Sequence, residues 1–517
     1  MIKGFRQIAL ITTLSRVFGM VRDIAFAHFF GAGWLMTAWT MGFKIPNLAR
    51  RLFGEGAASA SFIPVYSEQL HKDPRQATRL AGTVVTVIFV ILAAAVLIGQ
   101  FLIWGYYSLF ESRLGPRVGL ALCSIMLPYM IFVCVTAILG GTLNVHRRFA
   151  TPAAAPIVLN IFIITAILFS GWVLEWPPQK QVFFVAVAVL LAGLAQIAIQ
   201  LPPLRAAGVS LRPAWDIRSE AFKNIIKMMG PMIIGLTVTQ INTLADDLIA
   251  LSFMTEKGYP LSYGAPSYLY YAQRLYQFPL GVLGISLATA IFPVMSSDAA
   301  RADFQALTKT IARGIGSALF VAIPATAGII IVAGPLVSAI FEHGQFTSKD
   351  TPIVAWTLSF YAIGLCGYFW QQILTRAFYS TQDSKTPMFS AVLAVVCNVV
   401  LNLTLIWFMG TAGLALSTAV CSYLQVFILV SVLKKRLGGS ILDGCGRAFV
   451  KTLAATVVMC AAAAAINHFL KGLDQSRAAN LLRLAVLVPT AAGVFLLTAK
   501  LLNIQQLSLL TGKTKGD

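Results

Sequence analysis

The stretch LAGTVVTVIFVILAAAVLIGQFLIWGYY, residues 80–107, runs for 28 residues without a charged side chain. About 20 apolar residues suffice for a helix to cross the hydrocarbon core of a bilayer. Comparable runs recur along the chain, among them ALFVAIPATAGIIIVAGPLVSAI (318–340) and TLAATVVMCAAAAAI (452–466). Lipid offers the backbone no hydrogen bonds, so only helices and closed barrels span it. A barrel would alternate polar and apolar residues, and these runs do not. The chain therefore reads as an all-α polytopic membrane protein. Its composition agrees: 58% of residues are hydrophobic and 11% are charged, against about 25% charged in soluble domains.

Hydropathy predicts 14 transmembrane helices, centred near residues 20, 50, 92, 130, 163, 190, 240, 280, 322, 365, 398, 422, 458 and 490. The second, eighth and tenth are weaker because they carry polar residues. The first apolar segment holds SRVFGMVRD and no small-residue cleavage site, so it does not read as a cleaved signal peptide. Alternate loops hold roughly two dozen Lys and Arg against about eight in the other set, which places both termini in the cytoplasm. That asymmetry also accounts for the net charge of +20, and no nucleic-acid-binding motif accompanies it. The longest cytoplasmic stretch, residues 205–227, carries Trp215 and mixed charge and is expected to form a helix at the membrane interface.

Two internal similarities share nearly one offset. GEGAASASFIPVYSE (54–68) resembles LGISLATAIFPVMSSD (283–298); Pro64 onto Pro293 gives 229. LGGTLNVHRRFATP (139–152) resembles ILTRAFYSTQDSKTP (373–387); Pro152 onto Pro387 gives 235. A duplicated unit of six helices would keep its orientation, giving two six-helix lobes related by a parallel repeat with a cavity between them. The expected layout is an N-terminal lobe over 1–204, a cytoplasmic linker over 205–227, a C-terminal lobe over 228–440, and two further helices with a tail over 441–517.

A central Arg costs a membrane helix about 2.5–3.5 kcal/mol by insertion scales. SRVFGMVRD nevertheless puts Arg16, Arg22 and Asp23 inside the first span. KIPNLARRLFGEGA puts Lys44, Arg50, Arg51 and Glu55 in the second, and YYAQRLYQFP puts Arg274 in the eighth, flanked by Gln273 and Gln277. On a helix, Arg16 and Arg22 point about 120° apart with Gly19 midway, a notch suited to an anionic group. Pairing with Asp23 or Glu55 accounts for some of these cations, and Lys44 and Arg51 also read as interfacial snorkelers. Six cations nonetheless face two acids. Surplus guanidinium groups in a wet cavity imply an anionic cargo, and their forks match phosphate. Pro46, Pro279, Gly281 and Gly284 mark bends within spans.

A second polar group falls in the C-terminal half. QINTLADDLIALSF carries Asp246 and Asp247, VVCNVVLNLTLIW carries Asn398 and Asn402 on one face, and TAGLALSTAV carries Thr418. A carboxylate, two amide oxygens and a hydroxyl form either an oxygen cage for a small cation such as Na⁺ or interhelical packing. No GxxxxGK[ST] motif occurs, the five histidines lack metal-ligand spacing, and the seven cysteines form no close CxxC pair. An enzyme is not indicated, and no organic cofactor is expected.

SRVFGMVRD, FFGAG, KIPNLARRLFGEGAASASFIPVYSE, YYAQRLYQFPLGVLGISLATAIFP and FYSTQDSKTP together resemble the MurJ (MviN) family, over essentially the whole chain. These are lipid II flippases of bacterial cell-wall synthesis, in a superfamily shared with multidrug exporters and polysaccharide flippases. The resemblance implies two lobes in a V and two C-terminal helices that form a lipid-open groove. It implies an undecaprenyl-diphosphate-linked cargo moved from the inner to the outer leaflet of the cytoplasmic membrane. It further implies that Arg16, Arg22, Arg50 and Arg274 line the cavity, that Asp23 organises them, and that Na⁺ binds at Asp246, Asn398, Asn402 and Thr418. Asp246 is preferred over Asp247 on the same basis. The expected partners are lipid II, membrane lipids and, transiently, the cell-wall synthesis machinery, with the chain acting as a monomer. The sequence departs from some relatives at Thr37, Gln273, Gln277 and Asn402, where they carry acids. That makes the cavity more positive and the ion site weaker, and puts in doubt any proton coupling through those positions. The alternatives are a flippase for another polyprenyl-linked saccharide, a cation-coupled multidrug exporter, whose cationic cargo would favour acids in the cavity, and a scaffold, which has no use for surplus arginines.

Overall fold

The computed structural model describes residues 2–54, 57–109, 114–255, 257–437, 439–470 and 476–507. The chain is helical nearly throughout. The first helices are α1 (Ile2–Phe30), α2 (Trp34–Ala49), α3 (Ala57–Lys72), α4 (Pro74–Leu109), α5 (Leu114–Met126) and α6 (Tyr129–Val145). They are followed by α7 (Ala150–Leu168), α8 (Pro178–Ala198), α9 (Leu201–Ala206), α10 (Glu220–Ser252), α11 (Ala265–Pro279), α12 (Ile285–Ala300) and α13 (Phe304–Phe341). The last are α14 (Asp350–Ile363), α15 (Leu365–Ser380), α16 (Lys385–Met409), α17 (Thr411–Leu437), α18 (Cys445–Phe469) and α19 (Arg477–Leu501). A two-residue parallel pair, Met254–Thr255 with Leu261–Ser262, ties the loop after α10. Among the described residues, 10 helices are long and apolar enough to cross a membrane, or 11 if α14 and α15, bent by 42°, form one span.

Contacts divide the chain into two compact units. One comprises Met1–Gln240 with His343–Phe346; the other comprises Ile241–Glu342 with Thr347–Asp517. In the first, α1 packs along α7, and α3, α4 and α6 enclose a core around Phe62, Tyr66, Leu80, Val84 and Ile138. In the second, α18 and α19 pack on α13 around Phe320, Met459, Phe495 and Ile504.

The two segments that resemble each other in sequence share details of backbone geometry. The bends expected at Pro46 and Pro279 are π-helical turns: α2 runs into Arg50–Gly54 and α11 into Leu280–Gly284. The turn after α6 puts Arg147 at φ 58°, and the turn after α15 puts Gln382 at φ 60°. The N–H of Arg148 reaches Leu143 O at 2.9 Å, and that of Asp383 reaches Phe378 O at 2.9 Å. Both are Schellman closures with a left-handed residue other than glycine. The Asp383 carboxylate also caps α16, accepting from the Lys385 and Thr386 N–H groups at 2.9 and 3.0 Å and from Arg436 Nη1 at 2.7 Å. Burial acts to raise its pKa, but the hydrogen bonds from Thr386 and Arg436 outweigh it and hold the carboxyl below the usual aspartate range.

The segment between α9 and α10 corrects the expectation of an interfacial helix over 205–227. Residues 207–219 hold no helix. Gly208, at φ 75°, ends α9, and Pro213 both lacks an N–H and forces Arg212 out of helical geometry. The segment is a strap laid on α4. Ala214 N donates to Thr86 Oγ1 at 3.3 Å, Arg79 pairs with Asp216 at 3.3 Å, and a Cβ at Gly82 would come within 2.4 Å of Arg212 O. Trp215 stays 58% exposed.

Candidate functional site

In the first unit Arg22 on α1 faces α7, and Arg51, in the π turn after α2, faces Gln240 in the middle of α10. Arg22 is held by two groups from different helices. Its Nε and Nη2 donate to Asp23 Oδ1 at 3.0 and 2.8 Å, and its Nη1 donates to Asn160 Oδ1, on α7, at 3.0 Å. The side chains of Arg22 and Asp23 are only 13% and 3% exposed. The Phe26 ring lies 5.8 Å from the guanidinium carbon. Burial in such a place is tolerable because the charge is paired and further hydrogen-bonded.

The Gly19 notch is narrower than the helical wheel implies. A Cβ there would meet Asn160 Nδ2 at 3.8 Å, so α7 stands directly over it. Arg16 is exposed. Arg50 begins the π turn, and its Nε and Nη2 donate to Asn47 Oδ1 at 3.2 and 3.0 Å. Arg51 Nη1 donates to Gln240 Oε1 at 3.2 Å. Lys44 is half-buried on α2, and Thr37 is buried on the same helix. Glu55 lies outside the described residues.

Arg274 belongs to the second unit. Its guanidinium carbon stands 4.6 Å from the centre of the Tyr270 ring, one turn back on α11. Gln273 Nε2 donates to Tyr361 Oη at 3.1 Å, and Gln277 is half-buried. Tyr361 and Tyr368 both stack on Tyr276, with centroids 4.8 and 5.5 Å away. That wall of three rings fixes the helix face from which Arg274 extends.

The residues expected at an ion site do come together. Asp246 is 2% exposed and Asn398 and Asn402 are fully buried. Asn402 Nδ2 donates to Asp246 Oδ1 at 2.6 Å, and Thr418 Oγ1 donates to Asp246 Oδ2 at 3.3 Å. Asn398 is better satisfied with its amide turned, its nitrogen then donating to Asp246 Oδ1 at 2.8 Å and Asn242 Oδ1 at 3.2 Å. The Ser417 hydroxyl donates to Asn402 Oδ1. Asp246 is thus the carboxylate that meets these amides. Its oxygens, the two amide oxygens and the hydroxyls form a hard, all-oxygen donor set of the kind Na⁺ takes. In the arrangement described, amide and hydroxyl donors already occupy the Asp246 oxygens, so an entering ion has to displace them and turn an amide oxygen toward itself.

Several contributors were not singled out from sequence: Asn160, Asn47, Gln240, Ser417, Asn242 and Tyr361. Asn160 left a signal, being the only amide in the apolar run ATPAAAPIVLNIFIITAIL.

Comparison with known proteins adds identity to geometry. Residues 26–503 match the family model described as "Lipid II flippase MurJ". A protein of Vibrio cholerae named "Probable lipid II flippase MurJ" is 34% identical over 82% of this chain and 81% of its own. One of Burkholderia cenocepacia named "Lipid II flippase MurJ" is 32% identical over 87% and 86%. Among solved structures, "Lipid II flippase MurJ, inward closed conformation" superposes with a TM-score of 0.79 at 24% identity, covering 96% of this chain and 98% of that one. A multidrug resistance MATE family transporter of the MOP superfamily, inward-facing, superposes with a TM-score of 0.69 at 12% identity, covering 85% and 99%. These two similarities carry the fold alone.

Proposed function

The chain belongs to the lipid II flippase MurJ family, and on that premise we propose that it moves lipid II, a polyprenyl-diphosphate-linked peptidoglycan precursor, from the inner to the outer leaflet of the cytoplasmic membrane. It is a transporter and not an enzyme. The observation that most supports a phosphate-bearing cargo is the Arg22 guanidinium, almost wholly withdrawn from solvent yet held in a fixed orientation by Asp23 and Asn160. A flexible surface cation would suffice for a loop; an oriented fork is what bidentate recognition of a phosphoryl group needs.

In this reading Arg16, Arg22, Arg50 and Arg51 of the first unit and Arg274 of the second bind phosphoryl oxygens in the course of transfer, with Lys44 raising the local potential. The neutral residues Thr37, Gln273 and Gln277 leave that potential uncancelled. The cargo is exchanged by alternating access, and its polyprenyl tail stays in lipid beside α18 and α19. In this reading the membrane spans number fourteen: α1, the α2–α3 pair and α10 are added to the 11 counted by length and hydropathy among the described residues. The lobes are residues 1–204 and 228–440. The excess of Lys and Arg in alternate loops supports cytoplasmic termini. The test is translocation of labelled lipid II by the purified protein in liposomes. Accumulation in the outer leaflet is expected. A protein that is folded by thermal melting but moves none of it, under any ionic gradient or membrane potential, overturns the proposal.

Asp246, Asn398, Asn402 and Thr418, with Ser417 and Asn242 beside them, would hold Na⁺. Bound there, the ion would neutralise the Asp246 carboxylate. A ligand at ten times its dissociation constant stabilises the folded state by about 1.4 kcal/mol. Replacing choline chloride by NaCl is therefore expected to raise the melting temperature of the wild type, and Asp246→Asn is expected to abolish that rise. An equal rise in both assigns the residues to helix packing.

A further inference from the structure

We propose that Asn160 is a positioning residue for Arg22, fixing the plane of its guanidinium without neutralising it. The proposal rests on the reading that Arg22 receives cargo phosphate, and extends it to a helix on which sequence places no charged or binding group.

An amide at bilayer depth is costly unless both of its ends are engaged. Asn160 is 5% exposed, in the middle of α7 and against α1. Its Oδ1 accepts from Arg22 Nη1 at 3.0 Å, and its Nδ2 donates to Ser15 O at 3.4 Å. The two contacts fix which way the amide points, because the reversed amide would set an NH₂ group against a guanidinium and an oxygen against a carbonyl. They also lie two turns apart on α1, so the amide spans the surface above Gly19, where the missing side chain leaves it room. Asp23 grips the guanidinium along the Nε–Nη2 edge, and Asn160 takes the other terminal nitrogen. Held at two edges from two helices, the plane loses its freedom to rotate about the last side-chain bonds.

The choice of amide is chemically specific. A second carboxylate at this position would hold Arg22 as firmly but would cancel the charge a diphosphate must meet. A hydroxyl is too short to reach both α1 atoms. An aliphatic side chain would leave the guanidinium free to turn. An amide supplies an acceptor with no formal charge.

The test uses the full chain in liposomes, with initial translocation rates measured against the surface concentration of labelled lipid II. Asn160→Leu, close in volume, is expected to raise the apparent KM about tenfold with the maximal rate kept within twofold. Asn160→Asp keeps shape and acceptor but adds charge, and is expected to raise KM at least as much. In an Arg22→Lys background, which no longer has a fork to orient, Asn160→Leu is expected to change KM by less than twofold. A wild-type KM in Asn160→Leu, or the same fold-change in both backgrounds, overturns the proposal. If Asn160→Leu does not fold, Asn160→Asp carries the test by the same KM criterion. Should Arg22→Lys alone keep a wild-type KM, the phosphate reading of Arg22 fails, and that failure is separate from any result at Asn160.

Discussion

Arg22→Ala is expected to lower lipid II translocation about a hundredfold per molecule of protein in the membrane. Hydrogen bonds to charged groups are worth about 1.5–3 kcal/mol each, and a fork makes two of them. A loss of about 2.7 kcal/mol corresponds to that factor. The truncation also takes the Arg22 donors from the buried Asp23 carboxylate, and stranding one partner of such a pair costs stability too. The reading is checked by translocation in liposomes together with growth of a flippase-depleted strain, normalised to protein abundance. Translocation within threefold of the wild type would mean that Arg22 only staples α1 to α7.

Asp23→Leu strands the other partner and should also bring a large loss of stability. Removing one partner of a buried ion pair typically costs about 3–5 kcal/mol, because the remaining charge is left uncompensated, whereas replacing both by apolar residues is often neutral. Asp23 is 2% exposed and both guanidinium contacts converge on one of its oxygens. Asp23→Leu alone is expected to lower the melting temperature markedly. The double variant Arg22→Met with Asp23→Leu is expected to recover most of that loss yet to remain inactive. Equal melting temperatures for the single and double variants would show that the pair contributes nothing to folding. Recovery of transport in the double variant would remove the pair from function altogether.

The helical fold class was legible because lipid leaves the backbone so few choices, and the matching turns after α6 and α15 because the residues around Pro152 and Pro387 recur at nearly one spacing. Pro46 and Pro279 announced bends without revealing their form, since a π turn is a matter of which carbonyl each N–H reaches. The strap at 207–219 was misread because mixed charge and a tryptophan suit a surface helix; the decisive facts were Pro213 and the close approach of Arg212 to Gly82. Around Asp246 the spacing of Asn398 and Asn402 was enough to put both on one face toward the carboxylate. Ser417 escaped notice because its neighbour Thr418 was the obvious hydroxyl, and amide orientation leaves no trace in sequence. Asn160 was hidden for a related reason. A single asparagine in an apolar helix looks the same whether it packs or positions, and only its distance to Arg22 separates the two.

A π turn is an α-helix carrying one surplus residue. Arg50–Gly54 and Leu280–Gly284 each absorb such an insertion just past a proline. Deleting one residue from Leu280–Gly284, which runs directly into α12, would restore regular hydrogen bonding and swing α12 by about 100° about its axis. The face that α12 presents would then change without any change in its composition. The angular setting of α12 is therefore written as a count of residues, and insertions or deletions there would reset it where substitutions could not.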